Sequence, residues 1–233
     1  MKRFQTRELL LISIFLAGSL VSLSAPAGGI SLGGTRLIYP ADARQTSIAV
    51  RNTSSNAAYL VQSWTESANG QKSTDFIVTP PLFVSNSGDE NLLNVMFSGP
   101  VLPNDRETLY YFNSRAIPSV DKSKTENKSV LMLATTTRIK LFVRPSGLTP
   151  TSDKASDMLQ FSKSGNQLTI SNPSPYYITL VQMKVNGKKI SDVMVPPKDN
   201  VNLLIPSGGG DSLSYSTMND YGGTGNVKVI SLK

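Results

Sequence analysis

The chain has 233 residues, of which 39% are hydrophobic and 17% are charged, and it contains neither histidine nor cysteine. Without an imidazole or a thiol it cannot build a Ser-His-Asp triad, a cysteine nucleophile or an ordinary zinc or iron–sulfur site. Its 23 basic and 16 acidic residues give a net charge of +7. That excess is spread along the chain instead of forming a basic stripe, so we expect no nucleic-acid partner.

The composition favours an all-β protein. There are 17 glycines and 14 prolines among many short apolar runs, and no segment keeps a 3.6-residue period over three turns. A chain of this length allows either one large β domain or two sandwiches of roughly 100 residues each.

The first 27 residues have the pattern of a secretory signal peptide. Three basic residues precede an apolar run at 9–21, and the small residues of 25–27 follow it. The run is shorter than the roughly 20 residues that a membrane-spanning helix needs. Cleavage after Ala27 leaves a mature chain of 206 residues with 20 basic and 15 acidic side chains. We therefore expect an exported protein whose fold is held without disulfides.

The mature sequence predicts strands throughout, interrupted by one linker. A Pro/Gly/Ser-rich stretch at 145–152 carries no apolar period and predicts a domain boundary. We place a first domain at 28–146 and a second at 152–233. The predicted strands lie at 34–39, 48–52, 59–62, 76–79, 92–97, 108–113, 130–144, 159–161, 168–172, 177–182, 201–205, 212–215 and 227–232.

An internal echo supports two domains of one plan. Segments 48–62 and 168–182 each read as strand, turn and strand, and an Asn, a Ser and a Leu-Val-Gln fall at the same places at a constant offset of 120. Asn-x-Ser is turn chemistry, because these side chains bond to nearby backbone. The alternative is that a β-rich sequence matches itself by chance.

Segment 130–144 is an unusually long strand candidate. It runs for fifteen residues without Gly or Pro, which corresponds to roughly 50 Å of strand. It is apolar on both faces, so both faces need to be covered. Either it is the central strand of a thick sandwich, or a partner chain pairs with it by strand addition.

Two cations lie within predicted strands. Arg36 occurs in Thr35-Arg36-Leu37 and Lys140 lies between Ile139 and Leu141. Such residues usually point to water. If both face one cleft, they form a carboxylate site, because guanidinium and ammonium groups give short, charge-assisted hydrogen bonds to an anion.

Several motifs together resemble the periplasmic pilus-assembly chaperones of the chaperone–usher pathway, the PapD-like family. The resemblance covers nearly the whole mature chain, in order and in spacing. The motifs are Thr35-Arg36, Thr79-Pro80-Pro81, Asp105-Arg106-Glu107-Thr108-Leu109-Tyr110-Tyr111-Phe112-Asn113, Ile117-Pro118, Arg138-Ile139-Lys140-Leu141-Phe142-Val143-Arg144-Pro145, Asn172-Pro173-Ser174-Pro175-Tyr176-Tyr177 and Asn219-Asp220-Tyr221-Gly222-Gly223.

The resemblance implies two immunoglobulin-like domains in an L-shaped arrangement, with pilus subunits bound in and beside the cleft. It implies that Arg36 and Lys140 hold the subunit's C-terminal carboxylate, and that strand 130–144 fills a groove in the subunit. The donor-strand contacts that we expect are Leu131, Leu133, Thr135, Thr137 and Ile139.

It further implies that Glu107, Arg144 and Asp220 form ion pairs between the domains and set their orientation. The subunit is then expected to pass to an outer-membrane usher, with no cofactor, and a self-capping homodimer of the free protein stays open. Two features depart from the family pattern: Thr135 stands where a larger apolar residue is common, and the connection 119–129 is long for the short-loop branch. We nevertheless favour that branch because the connection has no cysteine.

Two other functions compete with this interpretation. A secreted adhesin or structural sandwich that self-associates through the same strand would tolerate loss of Arg36 and Lys140. A Ser-Lys hydrolase has only the Ser119-x-x-Lys122 spacing to support it, in a charged loop that offers neither burial nor an oxyanion site. We therefore expect the protein not to be an enzyme.

Overall fold

The computed structural model describes residues 28–119, 131–206 and 211–232. The predicted signal peptide, Lys122 and the greater part of the 119–129 connection lie outside these ranges. No helix in the described part of the chain is long and apolar enough to cross a membrane.

The first domain contains nine described strands. They are β1 (Ile30–Leu32), β2 (Arg36–Pro40), β3 (Thr46–Asn52), β4 (Tyr59–Ser67), β5 (Phe76–Thr79), β6 (Leu82–Ser85), β7 (Glu90–Phe97), β8 (Thr108–Pro118) and β9 (Thr135–Arg144). A four-stranded sheet, β1-β3-β7-β5, faces a five-stranded sheet, β2-β9-β8-β4-β6. Apolar residues from both sheets form one buried core, including Val50, Leu93, Phe112 and Leu141.

The second domain begins with two short helical turns, α1 (Ser152–Ala155) and a 3₁₀ turn (Ser156–Met158). Its described strands are β10 (Gln160–Ser164), β11 (Gln167–Asn172), β12 (Ile178–Val185), β13 (Lys188–Lys189), β14 (Val193–Val195), β15 (Asp199–Leu204), β16 (Ser212–Thr217) and β17 (Lys228–Ser231). Sheet β10-β11-β15 packs on sheet β13-β12-β16-β17, and β14 also pairs with β12. A separate core includes Leu168, Leu180 and Leu213. The prediction of an all-β chain with two domains is confirmed.

The echo in the sequence corresponds to one buried asparagine per domain. Asn52 Nδ2 donates hydrogen bonds to the backbone carbonyls of Ala57 (2.8 Å) and Ser85 (3.0 Å). Asn172 Nδ2 donates to three carbonyls, those of Tyr176 (2.7 Å), Pro196 (3.0 Å) and Val195 (3.2 Å). Each side chain therefore donates hydrogen bonds to backbone carbonyls near the end of a strand. Without the asparagine, these carbonyls would lack this donor.

Strand β9 is covered on both faces only in its second half. Ile139, Leu141 and Val143 belong to the first-domain core. On the opposite face, Phe142 is 2% exposed and packs against the ring of Tyr177 from the second domain, with centroids 5.4 Å apart. The second domain thus supplies the cover that the apolar pattern requires.

Arg144, at the end of β9, joins the domains through two carboxylates. Its Nε donates to Glu107 Oε1 (2.7 Å), while Nη1 and Nη2 donate to the two oxygens of Asp220 (2.7 Å each). The second oxygen of Glu107 accepts the backbone N–H of Tyr177 (2.8 Å). Ser152 Oγ also donates to Asp220 (3.0 Å). The structure therefore brings the three residues together, but only the Arg144–Asp220 ion pair crosses between the domains. The Arg144–Glu107 pair lies within the first domain, and Glu107 reaches the second domain through the N–H of Tyr177.

Burial and mutual contacts shift the pKa values of the three side chains in this cluster. Burial raises the pKa of Glu107, although the nearby Arg144 opposes that shift. The hydrogen bonds from Arg144 lower the pKa of Asp220. Burial works to lower the pKa of Arg144, but its bonds to Asp220 and Glu107 outweigh it and the pKa is raised. Both acids thus have their oxygens committed to Arg144 and its neighbours.

Replacing the buried Asn172 by alanine should destabilise the second domain. Asn172→Ala leaves three carbonyls without their donor, so we expect the free energy of unfolding to fall by about 2–4 kcal/mol. Urea unfolding followed by circular dichroism measures the loss. The control is Asn200→Ala, because Asn200 is exposed. An equal effect of the two substitutions would contradict the role assigned to Asn172.

Removing Glu107 should loosen the angle between the domains. Glu107 is 3% exposed, and Glu107→Ala leaves the Tyr177 N–H and one side of the Arg144 guanidinium unpaired. We expect a broader distribution of interatomic distances by small-angle scattering in solution. Glu90→Ala, which removes an exposed ion pair with Arg51, is the control and should leave the profile unchanged. An unchanged profile for Glu107→Ala would refute its orienting role.

Candidate functional site

The two cations singled out in the sequence are neighbours across one strand pair. β2 and β9 run parallel, and Arg36 lies opposite Lys140 in their register. The residues that follow them, Leu37 and Leu141, are buried in the first-domain core. Because successive strand residues point to opposite faces, Arg36 and Lys140 both point away from that core. They therefore lie side by side on the sheet face that meets the second domain.

The second domain gives each cation one weak acceptor. Arg36 Nη2 donates to the thioether sulfur of Met218 (3.2 Å), and Lys140 Nζ donates to Thr179 Oγ1 (3.3 Å). Arg36 Nε is buried without a hydrogen-bond partner. These contacts hold the cations in place but do not neutralise them.

Burial lowers the pKa values of both cations of the pair. Burial lowers the pKa of Lys140, and the adjacent Arg36 lowers it further. Burial also lowers the pKa of Arg36, against the attraction of Asp220 and Glu107. Within the ranges that the structure describes, neither cation forms an ion pair, since those two carboxylates are bonded to Arg144. A small anion placed between the cations would gain charge-assisted hydrogen bonds from both.

Arg36 also lines a cavity of about 670 Å³ between the domains, together with Phe142, Tyr176, Met218 and Asp220. The site therefore has room beside the guanidinium. Lys140 is not among the residues that line this cavity, so the cavity lies on the Arg36 side of the cation pair.

Beside Arg36, the backbone of the second domain at Gly222 lies very close to the side chain of Thr35 in the first domain. Gly222 has φ +80°, and a Cβ built there would lie 1.9 Å from Thr35 Oγ1. The turn is held by Asn219 Oδ1, which accepts the N–H groups of Tyr221 (3.0 Å) and Gly223 (2.8 Å). This explains physically why the motif that carries Asp220 ends in glycines.

An open strand edge begins beside the cation pair. β2 pairs only with the second half of β9, from Lys140 to Arg144. Residues 135–139 of β9 pair with β8, and in the described structure no strand lies on their other side. Their free N–H and C=O groups can accept an added strand.

The segment before β9 presents large apolar side chains to solvent. Leu131 is 82% exposed and Leu133 is 68% exposed, while Thr135 and Thr137 continue the same alternating row and are also exposed. The exposure of these four residues leaves them available for contact with a partner.

Two details of the predicted strand need correction. We predicted it from residue 130, but the hydrogen-bonded strand begins at Thr135, opposite Ala116. Val130 lies outside the described residues. We also expected Ile139 among the partner contacts, yet it is 7% exposed and packs in the first-domain core. We therefore leave Ile139 out of the contact row.

Sequence reasoning missed the residues that the second domain contributes. Thr179 and Met218 contact the two cations, and Tyr177 covers Phe142. They lie 35 or more positions from their partners in the sequence. No spacing rule links them, although Tyr177 and Met218 lie in or directly before the quoted motifs.

No group of three or more acidic side chains that could hold a metal ion occurs in the described ranges. The chemistry of this site is instead that of two cations beside an open edge and an exposed apolar row.

Comparison with known proteins places both domains in one family. Residues 29–149 match the family model of the pili and flagellar-assembly chaperone PapD N-terminal domain. Residues 154–228 match that of the pili assembly chaperone PapD C-terminal domain. The chain is 45% identical over 226 residues to the probable fimbrial chaperone SfmC of Escherichia coli K12, with 97% of each covered. It is 42% identical to chaperone protein FimC of the same strain, with 91% of this chain and 88% of FimC covered.

Solved structures agree with these matches. The periplasmic chaperone SfaE is similar with a TM-score of 0.75 at 37% identity, covering 86% of this chain and 98% of SfaE. A chain of the Salmonella enterica complex of the SafA pilin with the SafB chaperone is similar with a TM-score of 0.80 at 28% identity, covering 90% and 99%. The resemblance read from the motifs is confirmed, and the chain belongs to the PapD-like family of pilus-assembly chaperones.

Proposed function

We propose that this pilus-assembly chaperone captures a pilus subunit by strand addition along β9 while Arg36 and Lys140 bind the subunit's C-terminal carboxylate. The observation that carries the proposal is the meeting of two unneutralised cations with the start of an open strand edge. The complex of the SafA pilin with the SafB chaperone supports a pilus subunit as the class of partner.

The proposed contacts imply a direction for the added strand. β2 occupies the edge of β9 from Lys140 onward and runs parallel to it. A subunit strand that lies along 131–139 and ends in a carboxylate at Arg36 must therefore also run parallel to β9. It takes the place next to β9 that β2 holds further along.

Binding the carboxylate also fixes the register. Side chains alternate across a strand, so a slip of one residue would turn the exposed row, Leu131, Leu133, Thr135 and Thr137, away from the subunit's apolar groove. A charged end point at Lys140 prevents that slip. Thr135 offers a smaller apolar surface than Leu131 and Leu133 in the row, which favours a subunit with a shallower pocket there.

The subunit gains backbone hydrogen bonds and apolar contacts from β9. A chain with an open groove leaves backbone groups and apolar pockets unsatisfied, and β9 supplies both hydrogen bonds and side chains. We extend the proposal to export into the periplasm with removal of residues 1–27, and to later release of the subunit to an outer-membrane usher. In the free protein, a second copy could cover the same row as a self-capping homodimer.

The competing functions fare differently. The relatives are named as chaperones, a non-enzymatic role, so the protein is not an enzyme. A self-associating adhesin would use the same open edge, but it gives no reason for two cations with lowered pKa values to lie at the end of that edge.

Loss of the Lys140 charge should strongly weaken subunit capture without unfolding the chaperone. Hydrogen bonds to charged groups contribute about 1.5–3 kcal/mol, so Lys140→Ala should weaken retention of a co-expressed pilus subunit by about 10–100-fold. Affinity purification from the periplasm with mass analysis measures the retained subunit. The intact mass of the chaperone in the same eluate reports whether residues 1–27 have been removed.

The matched control is Lys188→Ala, because Lys188 is an exposed strand lysine of the second domain, far from β9 in the sheet pairing. Equal retention by wild type, Lys188→Ala and a folded Lys140→Ala would show that Lys140 is a surface cation only. Self-association of wild type that persists with no subunit retained, although the subunit is co-expressed, would favour the adhesin.

Capture should depend on pH through Lys140. In the free protein, burial and the adjacent Arg36 lower the pKa of Lys140 below the ordinary lysine value of 10.5. A bound carboxylate raises this pKa again. The charged lysine binds the carboxylate, so affinity should be constant while Lys140 is fully protonated and should fall as pH rises through the lowered pKa.

Titration calorimetry with a carboxylate-terminated peptide at several pH values measures this effect. In Lys140→Met the alkaline fall should disappear along with most of the affinity. A fall of the same size in that variant would mean that another group titrates.

A further inference from the structure

Met218 holds an unusual position, because its thioether sulfur is the hydrogen-bond acceptor of Arg36. The distance from Arg36 Nη2 to Met218 Sδ is 3.2 Å. Arg36 Nε has no partner, and both nearby carboxylates are bonded to Arg144. The Arg36 guanidinium is therefore bonded from the second domain only to the Met218 sulfur, among the described residues, and can still bind an anion.

A thioether is a weak acceptor compared with a carboxamide or carboxylate oxygen. It can orient a guanidinium, yet it exchanges readily for an anion. The ring of Phe142 lies 5.9 Å from the Arg36 guanidinium carbon and adds little competition. An oxygen acceptor at position 218 would instead occupy Arg36 before the subunit arrives.

The position of Met218 is fixed by its backbone. Its N–H donates to the carbonyl of Thr179 (3.0 Å), the residue whose hydroxyl accepts from Lys140. Thr179 and Met218 thus lie next to each other across the pair of strands β12 and β16, and each contacts one cation. This arrangement holds both acceptors at the cleft as one unit.

We infer that the acceptor strength of the side chain at position 218 sets the affinity of the Arg36 and Lys140 pair for a carboxylate. Met218 is a positioning residue that contacts Arg36 without neutralising it, so that the subunit's C-terminus displaces a weak bond and gains a strong one. This inference rests on the proposed function and adds a determinant of binding strength from the second domain.

The test compares substitutions that differ in acceptor strength. Met218→Gln introduces a carboxamide oxygen of similar reach, while Met218→Leu keeps the apolar volume and removes the acceptor. The probes are a synthetic peptide of alternating valine and threonine with lysines at its start for solubility, and the same peptide with an amidated C-terminus. Affinities for wild type and the variants are measured by titration calorimetry.

We expect Met218→Gln to weaken binding of the free-carboxylate peptide by about 3–10-fold and to leave the amidated peptide unaffected. Met218→Leu should keep the affinity of wild type within about twofold. Matched controls are Met96→Gln and Met96→Leu, because Met96 is exposed on β7 of the other first-domain sheet. Both should behave as wild type.

The outcomes separate the two claims. If wild type discriminates between the peptides but Met218→Gln binds the carboxylate as tightly as wild type, the inference is overturned and the proposed function stands. If both Met218 variants lose affinity equally for both peptides, Met218 only packs and the inference is also overturned. If wild type does not distinguish carboxylate from amide, the proposed function falls and takes the inference with it.

Discussion

The site depends on the parallel pairing of β2 with β9. This pairing places Arg36 opposite Lys140, and it ends where the cations lie, so the first half of β9 keeps an open edge. An antiparallel β2, or one shifted by a residue, would separate the two charges or turn one of them into the core. One strand register therefore determines both the proposed carboxylate site and the open edge along which we propose that a partner strand binds.

Keeping two cations uncompensated at an interdomain surface requires that the nearby acids be occupied. Arg144 does this by taking Asp220 in a bidentate pair and one oxygen of Glu107. The bond to Asp220 also joins the domains, so the interaction proposed to orient the second domain occupies the two carboxylates that would otherwise be closest to Arg36. Arg36 and Lys140 are already desolvated and have no ion-pair partner among the described residues, and this favours binding of an anion from outside.

Much of the fold could be predicted from residues whose environment is local. The echo around Asn52 and Asn172 reflects a turn within each domain, and the two apolar faces of the strand ending at Arg144 require two covers. The short strands β1, β6, β13 and β14 were missed, because each has at most four residues and no alternation long enough to detect.

The site was predictable only in part, and the reason is again physical. Arg36 and Lys140 attract attention as cations among apolar neighbours, and family motifs pair them. Ile139 shares the alternating pattern of Leu131 and Leu133, so the sequence alone gives no sign that the core begins between Thr137 and Ile139. Met218 contacts Arg36 only because the second domain folds back onto the sheet, a fact that spacing in the first domain does not contain.

The most direct measurement is a crystal structure of the chaperone bound to a pilus subunit. The account predicts that the subunit's terminal carboxylate oxygens lie within hydrogen-bond distance of Lys140 Nζ and the Arg36 guanidinium. It also predicts that the subunit strand runs parallel to β9 along the exposed row from Leu131 to Thr137. A subunit strand antiparallel to β9, or a carboxylate bound elsewhere while Arg36 stays on Met218, would contradict it.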